Sequence, residues 1–433
     1  MTQRTSTPRE SAATAALFVA VLAVLLTTGW SANHFAAVLP VLTSDEHLSE
    51  TFATVVFGVY AIGLLPGLFG GGALSDRYGR AAVALPGAVC AFLGSRILAF
   101  WETESGLVVG RLVVGVGAGL AIGTCTAWAA DLRGPRGTVL AGVFLTLGFG
   151  LGPVVSGMIE QIPAVTQSIP FLTSAVLSAV AITTAVVLTL AGRPRSSSST
   201  AGSNGPLPAG APPAGAPPAG PLPAGPASAE TFASVRPVEE VRSAASALGW
   251  ALPLAPWVFA TVTVAFVFMP SRLHAGADKA LWAGIAAGVA LGTGIVVQTL
   301  ARGRGWGPRT GVIGLVVAAV GFVVVGLSPR PYPEWLLVVC AMLLGGAYGL
   351  CLREGLLDLE SLAPQAVRGT LTGVFYVGTY VGFVLPLVLV SLDGVTGVGV
   401  PLVILAVVAL LIATLRHLRL RPPTPHPRAA RPR

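Results

Sequence analysis

Glu354 and Asp358 stand four residues apart in REGLLDLE, inside sequence that is otherwise almost all hydrocarbon. On a helix that spacing puts both carboxylates on one face, where mutual repulsion makes one of them a candidate to hold and release a proton. Arg353 is a ready counter-ion, so a structural ion pair at a helix end is the competing reading. His34, in WSANHF, is the one histidine within an apolar block, and an unperturbed imidazole titrates near neutrality. Asn33 beside it offers a donor and an acceptor to a substrate, while a packed, hydrogen-bonded histidine is the plainer alternative. Arg111, in GRLVVGVGAGLA, lies near enough to the end of its apolar block to snorkel to the surface. Arg353, Tyr376 and Tyr380 join Asn33 and His34 as candidate walls of a cavity; ordinary packing is the other role open to the tyrosines. A charge at the centre of a membrane helix costs about 2.5–3.5 kcal/mol, so each of these residues demands a reason.

The elements that must position them follow from composition. Of 433 residues, 54% are hydrophobic and only 10% charged, with a mean hydropathy of +0.79. That excludes an ordinary soluble domain and predicts an all-α polytopic membrane protein, since spans in hydrocarbon must satisfy their own backbone polar groups. Twelve apolar blocks are expected, at about 13–40, 51–73, 81–100, 106–129, 138–159, 169–191, 248–269, 280–300, 310–327, 335–357, 370–390 and 397–415, most near the length a helix needs to cross a bilayer. With the N-terminus cytoplasmic, 20 of the 26 basic residues fall on the inner side and three (Arg272, Lys279, Arg330) outside. Both termini are therefore expected inside, and the net charge of +8 reflects topology and contact with anionic membrane lipid, with no nucleic acid involved.

The expected domains are a six-helix bundle over 1–192, a cytoplasmic Pro/Ala/Gly-rich linker over 193–247 (PLPAGAPPAGAPPAGPLPAGP), a second six-helix bundle over 248–415 and a basic tail over 416–433. A faint repeat supports two related halves. At an offset of 232 residues SDRYGR falls on GPRTGV and the RGT at 136–138 falls on the RGT at 368–370. Cys90, Cys125, Cys340 and Cys351 all lie in spans with no metal-ligand spacing, and neither a nucleotide-binding loop nor a hydrolase constellation occurs. The chain is read as no enzyme and as having no cofactor or metal.

GGALSDRYGR, residues 71–80, interrupts the hydrocarbon between the second and third blocks. Gly71, Gly72 and Gly79 are expected to let an inner hairpin reverse within a few residues, with Asp76 just before the third helix and Arg77 and Arg80 anchoring the loop. This segment resembles the loop signature of the major facilitator superfamily, G-x-L-(S/A)-D-R-x-G-R. GRLVVGVGAGLA resembles the family's R-x-x-x-G-x-G through Arg111, Gly115, Gly117 and Gly119. GFGLGPVVSG resembles G-x-x-x-G-P-x-x-x-G through Gly148, Gly152, Pro153 and Gly157, a pattern the family associates with antiporters. Val114 and Ser31 depart from residues that many exporters carry at those places. The resemblance implies two pseudo-symmetric six-helix bundles around a central cavity that opens to alternate sides. It also implies a gate in which Gly72, Asp76, Arg77, Gly79 and Arg80 dock on the other half near Arg368 and Gly369. Gly115, Gly119, Gly148, Gly152 and Pro153 are expected to pack helices closely and to supply a bending point.

The function expected is proton-coupled export of small amphipathic or lipophilic molecules, with Glu354, Asp358, His34 and Arg111 in the coupling. A symporter importing a small nutrient or carboxylate, and a non-transporting receptor or scaffold, are the alternatives. Twenty-five arginines against one lysine, with abundant Ala, Gly and Pro, hint at a high-GC bacterium and hence at the plasma (inner) membrane. The chain is read as a monomer whose partners are its substrate, protons and lipid.

Overall fold

The computed structural model describes residues 8–45, 48–101, 103–162, 166, 168–191, 243–274 and 278–420. Twelve helices within them are long and apolar enough to cross a membrane. They are α1 (Ala12–Thr43), α2 (Glu50–Tyr78), α3 (Arg80–Phe100), α4 (Glu104–Gly134), α5 (Arg136–Ile159) and α6 (Ser168–Ala191), then α7 (Ala244–Ser271), α8 (Lys279–Gly303), α9 (Thr310–Leu327), α10 (Glu334–Leu362), α11 (Arg368–Thr396) and α12 (Gly399–Arg419). Side-chain caps begin several of them: Ser49 accepts from the Phe52 N–H and Thr103 from the Gly106 N–H, satisfying donors that a helix start leaves open. With twelve alternating spans, the start of α1, the end of α6, the start of α7 and the end of α12 share one face, here the linker face; the opposite one is the far face. The expected linker lies outside the described residues except from Ser243 onward, and α7 starts four residues before the expected boundary.

The two halves repeat one packing scheme. α1 packs on α5, α2 on α4 and α3 on α6, and six helices later α7 packs on α11, α8 on α10 and α9 on α12. Across the halves, α5 meets α8 and α2 meets α11, the pair of contacts a two-fold exchange of the halves demands. Small residues set the closest crossings. A Cβ on Gly115 would stand 2.2 Å from the Tyr60 carbonyl oxygen and one on Gly119 2.2 Å from that of Leu64, so only glycine lets α2 and α4 touch backbone to backbone. Gly345 and Gly349 of α10 press equally hard on α8, against Ala290 and Gly294.

Two expectations about local structure are corrected. The glycine-rich hairpin is not an open loop: α2 runs helically through GGALSDRY to Tyr78, and the reversal is compressed into Gly79 alone, whose φ of 93° lies in the region that favours glycine. Asp76 therefore sits in the last turn of α2, where the helix dipole does not favour a carboxylate, and its charge is met by Arg80 instead. Gly72 is a packing residue for nothing, with no atom within 4 Å of where its Cβ would stand. At the other end of the chain, α12 continues past the expected 415 to Arg419, and Arg416 is buried in the helix bundle, not solvated in a tail.

Candidate functional site

Between the halves lies a narrow cavity of about 20 Å³, room for little more than a water molecule in this arrangement. Its N-half wall comes from Ala32 and Asn33 of α1, Tyr60 of α2 and Phe149 of α5. The C-half supplies an aromatic surface in which Phe259 lies 4.8 Å from Tyr380 and 4.9 Å from Phe383, centroid to centroid. α1 is interrupted here: the helix Pro8–Asn33 ends, His34 forms a turn, and a second helix Phe35–Asp45 resumes. The break exposes backbone polar groups beside the cavity, and side chains use them. Asn33 Nδ2 donates to the Phe149 carbonyl at 2.8 Å, fixing α1 to α5.

Arg111 uses the same break. Its side chain is fully buried and donates to the carbonyls of Ala32 (2.9 Å), Phe57 (3.0 Å) and Val56 (3.5 Å). Its guanidinium also lies 4.7 Å from the Phe35 ring, 4.8 Å from Tyr60 and 5.6 Å from Phe57. Carbonyl dipoles and ring faces thus solvate a cation that no ion pair among the described residues neutralises, each ring contributing about 0.5–2 kcal/mol. It does not snorkel. Arg96, by contrast, is exposed and rests on Phe100. His34 is also fully buried, facing Phe171 of α6 edge-on at 5.2 Å. Nδ1 lies 3.0 Å from the Trp30 carbonyl, which can only accept, so Nδ1 carries the proton and Nε2 is left without a partner.

The carboxylates sit at the two ends of the bundle. On the linker side, Arg416 of α12 donates to Glu354 at 3.1 Å and Asp358 at 2.6 Å, and Thr310 of α9 donates to Glu354 at 2.5 Å. Arg353 reaches Thr310 at 3.3 Å and lies 3.7 Å from Glu354. This cluster knits α9, α10 and α12 inside the C-half and does not line the cavity. In the N-half, Arg80 joins Asp76 at 2.6 Å and Asp131 of α4 at 2.8 Å. Asp76 is 68% exposed on its side chain, and Arg368, whose Nε has no partner, makes no bond to it. At the far face the pairing crosses between halves: Glu50 of α2 lies 3.1 Å from Arg272 of α7 and accepts from Ser271 at 2.9 Å. Arg272 continues to Asp393 of α11 at 3.2 Å, which Arg330 binds at 2.7 Å. Among the described residues, the ion pairs at the linker face lie within one half each, whereas the Glu50–Arg272 pair at the far face joins the two.

Of the residues singled out from sequence, the fold brings Asn33 and Tyr380 to the cavity and Arg111 immediately behind its wall. His34 adjoins the wall but turns toward α6, Tyr376 stands a turn away from Tyr380, and Arg353 is at the linker end. Gly148 and Gly152 pack α5 against α1, while the Pro153 carbonyl lies against Gly284 of α8. α5 keeps helical geometry through Pro153, so the one departure within the continuous α4–α5 helix is at Gly134. Sequence reasoning missed Tyr60, Phe383, Asp131, Arg416 and the Glu50–Arg272–Asp393 chain. The buried acids Glu354 and Asp358 signalled a nearby cation, but Arg353, the neighbour expected in that role, lies 3.7 Å from Glu354 while Arg416 bonds both.

Two repeated six-helix halves around a cavity, joined across the far face by the Glu50–Arg272 pair, define a polytopic membrane protein. A sequence model described as Major Facilitator Superfamily matches residues 19–386, and the chain belongs to that superfamily: it is a transporter and not an enzyme. The multidrug resistance protein MdtL of Escherichia coli O139:H28 (strain E24377A / ETEC) is 35% identical over 81 residues, 19% of this chain and 21% of that protein. MdtL of Shigella boydii serotype 18 (strain CDC 3083-94 / BS512) matches to the same extent. The match thus spans about a fifth of the length of these curated relatives. Among solved structures, a POT family transporter in complex with 5-aminolevulinic acid superposes with a TM-score of 0.69 at 14% identity, covering 93% of this chain and 96% of that one. A D-xylose-proton symporter gives 0.68 at 15%, covering 93% and 96%. At those identities the likeness carries the fold alone.

Proposed function

We propose that this carrier exports small amphipathic molecules in exchange for protons, working by alternating access across the bacterial inner membrane with its linker face cytoplasmic. The arginine distribution supports the orientation, and the partial match to multidrug resistance proteins together with the antiporter-like GFGLGPVVSG supports the direction. The observation that carries the reading is the uncharged aromatic cavity at the junction of the halves, tied at the far face and, among the described residues, without a cross-half ion pair at the linker gate. In the alternate state Asp76 moves onto the start of α11 near Arg368 and closes the linker face.

The proton site favoured by position is His34. It adjoins Asn33 at the cavity, its Nε2 is unpartnered, and a proton there adds a second positive charge close to Arg111. Glu354 and Asp358 are already committed to Arg416 and Thr310 and fit better as the brace of the C-half. Proteoliposomes enclosing a pH-sensitive dye, given uncharged aromatic amphiphiles under an imposed pH gradient, test both points. Proton release on substrate addition, abolished in His34→Gln and retained in Glu354→Gln, is the expected result. Retained coupling in His34→Gln with loss in Glu354→Gln moves the proton to the linker end, and absence of any proton movement removes the antiport reading. Proton-linked import of a carboxylate is the second reading, favoured by Arg111 lacking a carboxylate of its own; accumulation of substrate in place of depletion would select it.

A further inference from the structure

A second and larger cavity lies at the far face. Its volume is about 230 Å³, more than the ~150 Å³ in which an apolar protein interior holds a benzene molecule. Both halves wall it. Leu39 and Pro40 of α1 stand for the N-half, and Val267 and Phe268 of α7 with Pro386 and Val390 of α11 for the C-half. Onto this apolar lining open three polar side chains that carry the argument: Glu50, Ser271 and Lys279.

The charges around it do not cancel. Glu50 is met by Arg272 at 3.1 Å and by the Ser271 hydroxyl at 2.9 Å, and Asp393 by Arg272 at 3.2 Å and Arg330 at 2.7 Å. Two arginines thus balance two carboxylates, and Lys279 is left over. An ammonium has three donors and no acceptor; Lys279 spends one on the Ser271 carbonyl at 3.3 Å. Among the described residues no carboxylate pairs with it, and Asp278, its neighbour in sequence, is exposed. His274 is taken up by Glu334 at 3.2 Å. A half-buried cation with two free donors beside an apolar chamber is satisfied by an anion. A cationic guest would meet Lys279 and would have to draw Glu50 away from Arg272 and Ser271. An uncharged guest leaves the ammonium unmet.

We propose that the far-face cavity binds a small amphipathic carboxylate, its head on Lys279 and its apolar body between Phe268 and Val390, and that the guest holds the far face shut. The second part follows from the walls. They belong to both halves, so opening the far face takes the site apart, and a ligand that binds one arrangement better shifts the balance toward it. The inference does not depend on the central cavity being the substrate site. Three probes of one shape isolate charge: 4-tert-butylbenzoate, 4-tert-butylbenzamide and 4-tert-butylbenzamidinium. Their binding to the full chain in phosphatidylcholine nanodiscs is read by ligand-observed NMR with empty nanodiscs subtracted. The benzoate is expected to bind about tenfold more tightly than the amide, with the amidinium weakest.

Lys279→Met should erase the preference for the benzoate over the amide, and Lys279→Arg should keep most of it. Val390→Trp fills the chamber from α11 and should weaken all three probes about fivefold or more; should Lys279→Met not fold, this variant and the order of the probes decide. Spin labels at Ser105 and Val395, exposed positions at the far ends of α4 and α11 and outside the cavity wall, should shift toward the short distance with saturating benzoate. Equal binding of the three probes, tightest binding of the amidinium, or no binding at all overturns the proposal. A benzoate preference that survives both Lys279→Met and Val390→Trp overturns it in favour of the arginines of the linker face. Benzoate bound at Lys279 with distances unchanged overturns the closure of the far face.

Discussion

The far-face closure rests on a contact small enough to break in each transport cycle and specific enough to measure. Glu50 and Arg272 approach to 3.1 Å with side chains 33% and 21% exposed, so the pair is partly hydrated. At that separation the bare Coulomb attraction runs from about 1 kcal/mol in water to about 5 kcal/mol at an effective dielectric constant near 20. Desolvation and side-chain entropy reduce the net value for such a pair to about 1 kcal/mol. Glu50→Gln removes the charge but keeps an oxygen to accept from Ser271, which donates at 2.9 Å. It should therefore shift the balance toward the far-open state about fivefold. Glu50→Ala loses the hydrogen bond as well, a further ~1 kcal/mol, for a shift of about thirtyfold. Spin labels at Thr43 and Val390, which line the far-face vestibule from opposite halves, would report the distribution of distances. Both variants should enrich the long distance in that order. Unchanged distributions in both single variants would refute the assignment of this pair as the closure.

Four further outcomes follow from the same geometry. Arg111→Gln strands the cation's carbonyl partners beside the broken helix and should cost about 2–4 kcal/mol in mixed-micelle unfolding, with Arg111→Lys intermediate because one ammonium cannot span three carbonyls. Gly119→Ala puts a Cβ 2.2 Å from the Leu64 carbonyl and should lower stability by about 1–3 kcal/mol, whereas Gly72→Ala, in open space, should be neutral or stabilising by thermal melting. Arg416→Met leaves Glu354 and Asp358 buried without their shared cation and should cost about 3–5 kcal/mol, more than Glu354→Gln, as read by denaturant titration in detergent. Asp76→Asn should change stability by less than about 1 kcal/mol, since its pair with Arg80 is exposed, yet slow transport by depriving the linker gate of its charge; unaltered uptake kinetics would count against that gate.

What was legible in the sequence follows from which forces are local. Spans announce themselves because every residue of a lipid-crossing helix must be apolar or excused, so twelve blocks emerge from composition. Glu354 stands out for the same reason: an acid in hydrocarbon is conspicuous without knowledge of its partner. The partner was hidden because Arg416 follows an apolar block near a basic chain end, where arginine ordinarily marks a membrane border. Asp131 and Arg80 are 51 residues apart and Glu50 and Ser271 are 221 apart, so no local spacing links them. Tyr60 carried no signal at all, being one aromatic among many until the bundle turns its hydroxyl into a cavity and its ring toward Arg111. The Gly79 hairpin was misjudged for a different reason. Glycines 70 to 72 look like punctuation, but a helix of a membrane bundle tolerates them, and tertiary packing carries α2 straight through.

The placement of buried charge bears directly on how two such halves can move. Arg111 is bonded to α1 and α2 from α4, wholly within the N-half, and Arg416 gathers Glu354 and Asp358 wholly within the C-half. Each would cost several kcal/mol to unpair, and neither lies on the surface between the halves. The interface is made of cheaper contacts. Phe57 stacks on Phe383 at 5.2 Å, an aromatic pair contributing about 0.5–1.5 kcal/mol, and Gly157 and Pro153 of α5 slide against Ala280 and Gly284 of α8 with no side chain between them. The partly hydrated Glu50–Arg272 pair adds about 1 kcal/mol. Opening the far face therefore breaks contacts totalling a few kcal/mol while the buried charge clusters of Arg111 and Arg416 each travel within one half, which keeps two arrangements close enough in free energy for a bound ligand to choose between them.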